Sequence, residues 1–143
     1  MQTFLPYPDF YRTAECLDFR RLGKQRVEAM QIINVLEEKS FGWRSHPAVG
    51  MWSDYTDALK LYCNAMIREW AAQGYNNTMQ VYAVSDSCQL PHWFGDERVH
   101  SSHRANLLRK DPKYYGKYGW KEEPIEGYFW PSNKKQPLQS LRR

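Results

Sequence analysis

The chain has 143 residues, 42% of them hydrophobic and 15% aromatic, and a formal net charge of +4. That length suits one domain with a real core, and no apolar run approaches the ~18 residues of a membrane span. Residues 131–143 hold Lys134, Lys135, Arg142 and Arg143 and no acid, so the remaining body is electrically balanced and can grip a polyanion only by segregating its charges.

The opening MQTFLPYPDF has neither the basic start nor the apolar stretch of a signal peptide. Cys16, Cys63 and Cys88 are odd in number and widely spaced, as expected of reduced thiols rather than a disulfide frame or zinc site. Together these features suggest a cytoplasmic protein without a cofactor. Pro6 and Pro8 predict an extended arm over residues 1–12, with a short turn at Thr13–Glu15.

Residues 16–36, CLDFRRLGKQRVEAMQIINVL, have the clearest helical period. Leu22, Ala29, Ile33 and Leu36 form an apolar stripe that Met30 and Ile32 widen, and Asp18 is a candidate N-cap. Arg21, Gln25 and Glu28 recur on a different face, with Arg20, Lys24 and Arg26 beside them. Such a face can be a solvated surface laced with ion pairs. Its arginine richness suits phosphate better, because a guanidinium fork matches phosphate oxygens.

Residues 37–53 read as a connection carrying Trp43, Arg44, His46 and Pro47. Trp43 and Trp52 read as core fillers; the alternative for Trp43, beside Arg44, is a base-stacking platform. Residues 54–73 predict a second helix with Tyr55, Ala58, Leu59, Tyr62, Met66 and Trp70 on its core face, Ser53 as cap and Gly74 as stop. Residues 75–90 read as helical or irregular, since a lone strand would lack a partner.

A third helix is predicted from about Glu97 to Lys110, capped by Asp96 and ended by Pro112. His100 and His103 are three apart, but no third ligand stands at a supporting spacing, so metal binding is not expected. With Ser101, Ser102, Arg104 and Asn106 they offer donors to phosphate or base edges; the alternative is a polar helix face. Tyr114, Tyr115, Lys117, Tyr118 and Trp120 make a basic, aromatic loop of a composition that suits distorted nucleic acid. The pattern as a whole predicts a mainly α protein, one compact helical domain over 1–130 with an extended N-terminal arm, followed by a basic tail over 131–143.

The short arm, Arg-rich first helix, amphipathic second helix and late helix with its KYYGK loop resemble the pyrimidine-dimer DNA glycosylase, or phage endonuclease V, family. The stretches MQTFLPYPDF, RLGKQRVEAMQI, HPAV and HRANLLRKDPKYY resemble a bacterial and phage branch of that group. The resemblance covers about residues 1–120. It implies a compact helical fold and base excision on duplex DNA with a damaged or modified base. In such enzymes a free N-terminal amine attacks the sugar C1′, a Schiff base forms, a first-helix glutamate assists and arginines grip phosphates. The neutral α-amine is a usable nucleophile near neutral pH.

Carried over residue by residue, Arg20 and Lys24 match the phosphate-gripping positions. Arg21 falls where the glutamate is expected, with Asp18 and Glu28 the nearest carboxylates. The family's N-terminal threonine has no counterpart in register, because Thr3 follows Gln2, whose size keeps Met1 in place. Met1, Glu28 and Arg21 are therefore the catalytic candidates. Arg20, Lys24, Gln25, Arg26, His46, His100, His103, Arg104, Asn106, Tyr114, Tyr115 and Lys117 are the DNA-binding candidates. The expected partner is DNA, with no membrane, and the protein is expected to be a monomer. The rival readings are a non-catalytic nucleic-acid-binding module and an enzyme acting on a free nucleotide.

Overall fold

A computed structural model describes residues 1–131. The tail expected over 131–143 lies, from residue 132 onward, outside the described residues. Every regular element among those described is helical: α1 (Phe10–Cys16), α2 (Phe19–Leu36), α3 (Pro47–Gly50), α4 (Thr56–Ala72), α5 (Glu97–Lys110), α6 (Pro112–Tyr115) and a 3₁₀ turn at Gly116–Tyr118. None is long and apolar enough to cross a membrane. The mainly α reading is correct.

Aspartates start four of these helices. Asp9 accepts from the Arg12 amide at 2.9 Å, Asp18 from Arg21 at 3.3 Å, Asp96 from Arg98 at 3.0 Å and Asp111 from Tyr114 at 3.1 Å. Each side chain satisfies one of the amides that a helix N-terminus leaves without a partner. Two expected boundaries are corrected. The turn placed at Thr13–Glu15 is the helix α1, already under way at Phe10; at 7 residues it is too short to display a period. The second helix starts at Thr56 with Tyr55 at the N-cap and no side-chain cap bond, so Ser53 is not its cap. It ends before Gly74, whose φ of +91° is a left-handed conformation that glycine adopts without strain.

The core is built on α2 packed against α4. Leu22, Ala29, Ile32 and Ile33 from α2 and Ala58, Leu59, Tyr62 and Met66 from α4 are all fully buried. Trp52 and Trp93 meet edge to face at 5.1 Å in the same core. Their indole N–H groups are satisfied, Trp52 by the Thr3 hydroxyl at 2.9 Å and Trp93 by the Met51 carbonyl at 2.8 Å. Trp52 is a core filler, as read from sequence. Trp43 is not, being 61% exposed.

Gly23 costs α2 some helix propensity, and the packing explains its presence. A Cβ there would lie 2.7 Å from the Trp70 ring, which is itself stacked on Tyr75 and covered by Arg26. Propensity alone favours alanine by about 1 kcal/mol. Displacing a packed indole costs about 1–3 kcal/mol. Gly23→Ala is therefore expected to lower the unfolding free energy in urea titration; a more stable variant would contradict this packing.

Candidate functional site

The site is organised by the N-terminal arm. An extended segment exposes its amides and carbonyls, and among the described residues no strand lies beside this one to pair them. Side chains from three helices take that role. The Phe4 amide donates to Gln25 Oε1 at 2.7 Å, and Gln25 Nε2 donates to the Gln2 carbonyl at 2.9 Å. The Tyr62 hydroxyl lies 2.8 Å from the Phe4 carbonyl and 2.6 Å from Gln25 Oε1, so its proton serves both acceptors. The Leu5 amide donates to His103 Nδ1 at 2.8 Å, and His100 Nδ1 is 2.7 Å from the Leu5 carbonyl. Arg104 Nη1 donates to the Pro6 carbonyl at 2.7 Å.

The partners fix both histidine tautomers. His100 Nε2 accepts from the Gly95 amide at 2.9 Å, so its proton sits on Nδ1, facing the Leu5 carbonyl. His103 Nδ1 is an acceptor, which leaves the proton on Nε2, a buried atom without a hydrogen-bond partner. Burial, then the neighbouring His100 and Arg104, push the His103 imidazole down to about 3. Both histidines are neutral structural clamps.

Held this way, the arm carries Met1 into a cleft of about 470 Å³. Its walls are Met1, Gln2, Phe4, Arg20, Arg21, Lys24, Gln25, Glu28, Lys110 and Tyr128. Four of these residues are cations, and Glu28 is the one carboxylate among them. The charge segregation that a balanced body needs is thus present. Partial burial, then Arg109, Arg21 and Lys24, hold the Lys110 ammonium below its usual range. Such crowding of like charge favours an anionic ligand. Glu28 accepts from Gln25 Nε2 at 3.2 Å, so the amide that fixes the arm also orients the carboxylate.

The structure brings together Met1, Glu28, Arg20, Arg21, Lys24 and Gln25, all candidates from the sequence. Gln25 stands there in a changed role, 1% exposed and bonded to the arm instead of offered to a phosphate. Asp18, the other carboxylate near the resemblance's glutamate position, is not free. It accepts from the Arg21 guanidinium at 3.1 Å and from the Tyr115 hydroxyl. Burial pushes its carboxyl up, but the bonds from Tyr115 and Arg21 outweigh that and hold it below its usual range.

The remaining candidates lie elsewhere. Arg26 points to the loop after α4, donating to Asn77 at 2.7 Å and lying 4.5 Å over Trp70. His100, His103 and Asn106 are fully buried, and Arg104 is tied to Pro6, Glu97 and Glu122. Asn106 Nδ2 donates to the carbonyls of Ser102 at 2.9 Å and Gly127 at 2.6 Å.

The aromatic loop clasps the α1–α2 junction. The Tyr118 hydroxyl donates to the Cys16 carbonyl at 3.0 Å and Tyr114 to Leu17 at 3.4 Å, while Tyr115 is fully buried on Asp18. Lys117 is exposed and lies 3.9 Å over the Tyr114 ring. His46 caps α3 by accepting from the Ala48 amide at 3.0 Å. Burial, then the chain's N-terminal ammonium, lower its pKa, which places it near Met1. Lys110 and Tyr128 line the cleft without having been singled out from the sequence, where Lys110 was read only as a helix end. Among the described residues no group of three or more His, Cys, Asp or Glu could hold a metal ion.

Fold and cleft together describe a small helical domain with a basic groove. A family model described as pyrimidine dimer DNA glycosylase matches residues 1–83, from the arm through α4. The chain belongs to that family, whose members act on DNA. No curated protein and no solved structure matches it. The helices α5 and α6 lie beyond the matched residues.

The His103 clamp has a pH signature. Its folded pKa lies below the unfolded value of ~6.5, so the unfolded chain binds the extra proton first. Its contribution is complete above about pH 6.5 and is lost as pH falls from there towards 3. Urea titrations are expected to show stability dropping across that window. His103→Gln should reduce the slope by as much as one proton, about 1.4 kcal/mol per pH unit. An unchanged slope would show that His103 does not titrate on unfolding.

Proposed function

We propose that this protein excises a damaged or modified base from duplex DNA, with the α-amine of Met1 as nucleophile and Glu28 as the assisting carboxylate. The observation that supports this reading is the shared cleft, in which the arm's first residue, one carboxylate and four cations meet. Arg20, Lys24 and Lys110 would hold phosphates flanking the target. Arg21, anchored by Asp18, would hold a third in a fixed direction.

The chemistry follows from those groups. The amine lone pair attacks C1′, and the bond from C1′ to the base nitrogen breaks, its electron pair leaving with the base. Positive charge develops at C1′ as that bond stretches, and a carboxylate nearby stabilises it. Opening of the sugar ring moves the C1′–O4′ pair onto O4′, which takes up a proton, and leaves a protonated Schiff base on C1′. Removal of a C2′ proton by Glu28 would then expel the 3′ phosphate by β-elimination, which is the lyase step. The damaged nucleotide must leave the stack to reach the cleft, and lesions lower the cost of doing so. The acting unit is the single domain over residues 1–130, working as a monomer. As a repair enzyme it would work inside the cell, where the DNA is.

Borohydride trapping on an oligonucleotide with one abasic site tests this. A covalent adduct is expected with intact protein and not after the α-amine is blocked. Glu28→Gln should slow the strand cleavage that follows the Schiff base by about 10²–10⁴-fold while leaving DNA affinity unchanged. An adduct that survives blocking, or none at all on bound DNA, would refute the amine mechanism. In the second case the non-catalytic binding module would stand in its place.

A further inference from the structure

Two large aromatics stand in solvent on the connection before α3. Phe41 is 64% exposed and Trp43 61% exposed. Trp43 also has a φ of +68°, a left-handed conformation that a bulky residue enters only under strain. Among the described residues, neither burial nor a hydrogen bond of its indole compensates that strain. Arg44 lies 5.1 Å over the Phe41 ring, so the same loop carries a cation.

The position of this loop is informative. Trp43 meets His46 edge to face at 5.9 Å, His46 meets Trp130 at 6.1 Å, and Trp130 meets Tyr128 at 5.6 Å. Tyr128 is a wall of the basic cleft. A row of rings thus runs from the cleft to an indole in water.

We infer that Trp43 is a stacking surface for a base of the DNA that has lost its pairing partner at the lesion. The inference rests on the DNA-acting reading of the adjacent cleft. Extruding a damaged nucleotide leaves an unpaired base and an open step in the stack. An exposed indole is a fitting surface for either, since every base has a flat apolar face. The flanking charges argue for nucleic acid over an apolar protein partner: Arg44 on the loop and four cations in the cleft suit phosphates.

The test compares binding to an intact duplex and to a duplex with one uncleavable tetrahydrofuran abasic site opposite 2-aminopurine. Wild type should prefer the abasic duplex and quench its 2-aminopurine. Trp43→Ala and Trp43→Gly should lose about tenfold or more of that preference, as expected on losing one base–aromatic stack, and lose the quenching. Trp43→Phe should retain most of both, and Tyr11→Ala, an exposed aromatic outside the cleft, should change neither. Because glycine tolerates a positive φ, Trp43→Gly should melt no lower than wild type. An unchanged preference in Trp43→Ala, or a large fall in Tm for Trp43→Gly, would overturn the inference. Wild type binding both duplexes alike would sink it while leaving the DNA-acting reading intact. Failure to bind either duplex would remove both.

Discussion

The arrangement depends on an extended arm that, among the described residues, has no strand to pair with. Its backbone groups are buried, and each one left without a partner would cost about 1–3 kcal/mol. Gln25, Tyr62, His100, His103 and Arg104 supply the missing partners from α2, α4 and α5. Gln25 is central because its single amide bonds the Gln2 carbonyl, the Phe4 amide, the Tyr62 hydroxyl and the Glu28 carboxylate. Arm register and carboxylate orientation therefore follow from one buried side chain. A strand partner could slip by a residue; a set of side chains on rigid helices fixes the register.

The same economy shapes the electrostatics. Body charges balance, yet Arg20, Arg21, Lys24 and Lys110 converge on one cleft that holds Glu28 as its carboxylate. Several acids elsewhere are engaged: Asp18 with Tyr115 and Arg21, Glu122 with Arg104, Glu37 with Lys60 at 2.7 Å. The tyrosines of the late loop hold the α1–α2 junction, where Asp18 starts the helix that carries the cleft. That loop supports the site from behind, so α5 and its aromatic extension position the family-matched segment by structural contacts.

Much of this was legible in the sequence. The periods of α2, α4 and α5 and the caps Asp18 and Asp96 reflect local physics, and local physics is what a single sequence displays. The grouping of Met1, Arg20, Arg21, Lys24 and Glu28 followed from spacing on α2 together with a family resemblance. The errors share a cause. Gln25, His100, His103 and Asn106 were read as ligand donors because polar side chains on a helix usually face water. Here they face an arm that itself needs partners. Arg26 was counted with its neighbours, but its position on the helix turns it towards Trp70 and Asn77. No sequence period records that a distant extended segment will lie across a helix.

The most direct test of the central claim is the effect of moving the amine while leaving every side chain in place. One glycine added before Met1 would displace the α-amine by about 3.8 Å along the chain while Gln25 and the histidines hold the arm. The account predicts that borohydride trapping falls by about 10²-fold or more, with DNA affinity unchanged, because reacting atoms must be positioned to within about an ångström. Trapping at the original rate by the extended chain would show that the register fixed by the arm does not set the chemistry, and would contradict the account.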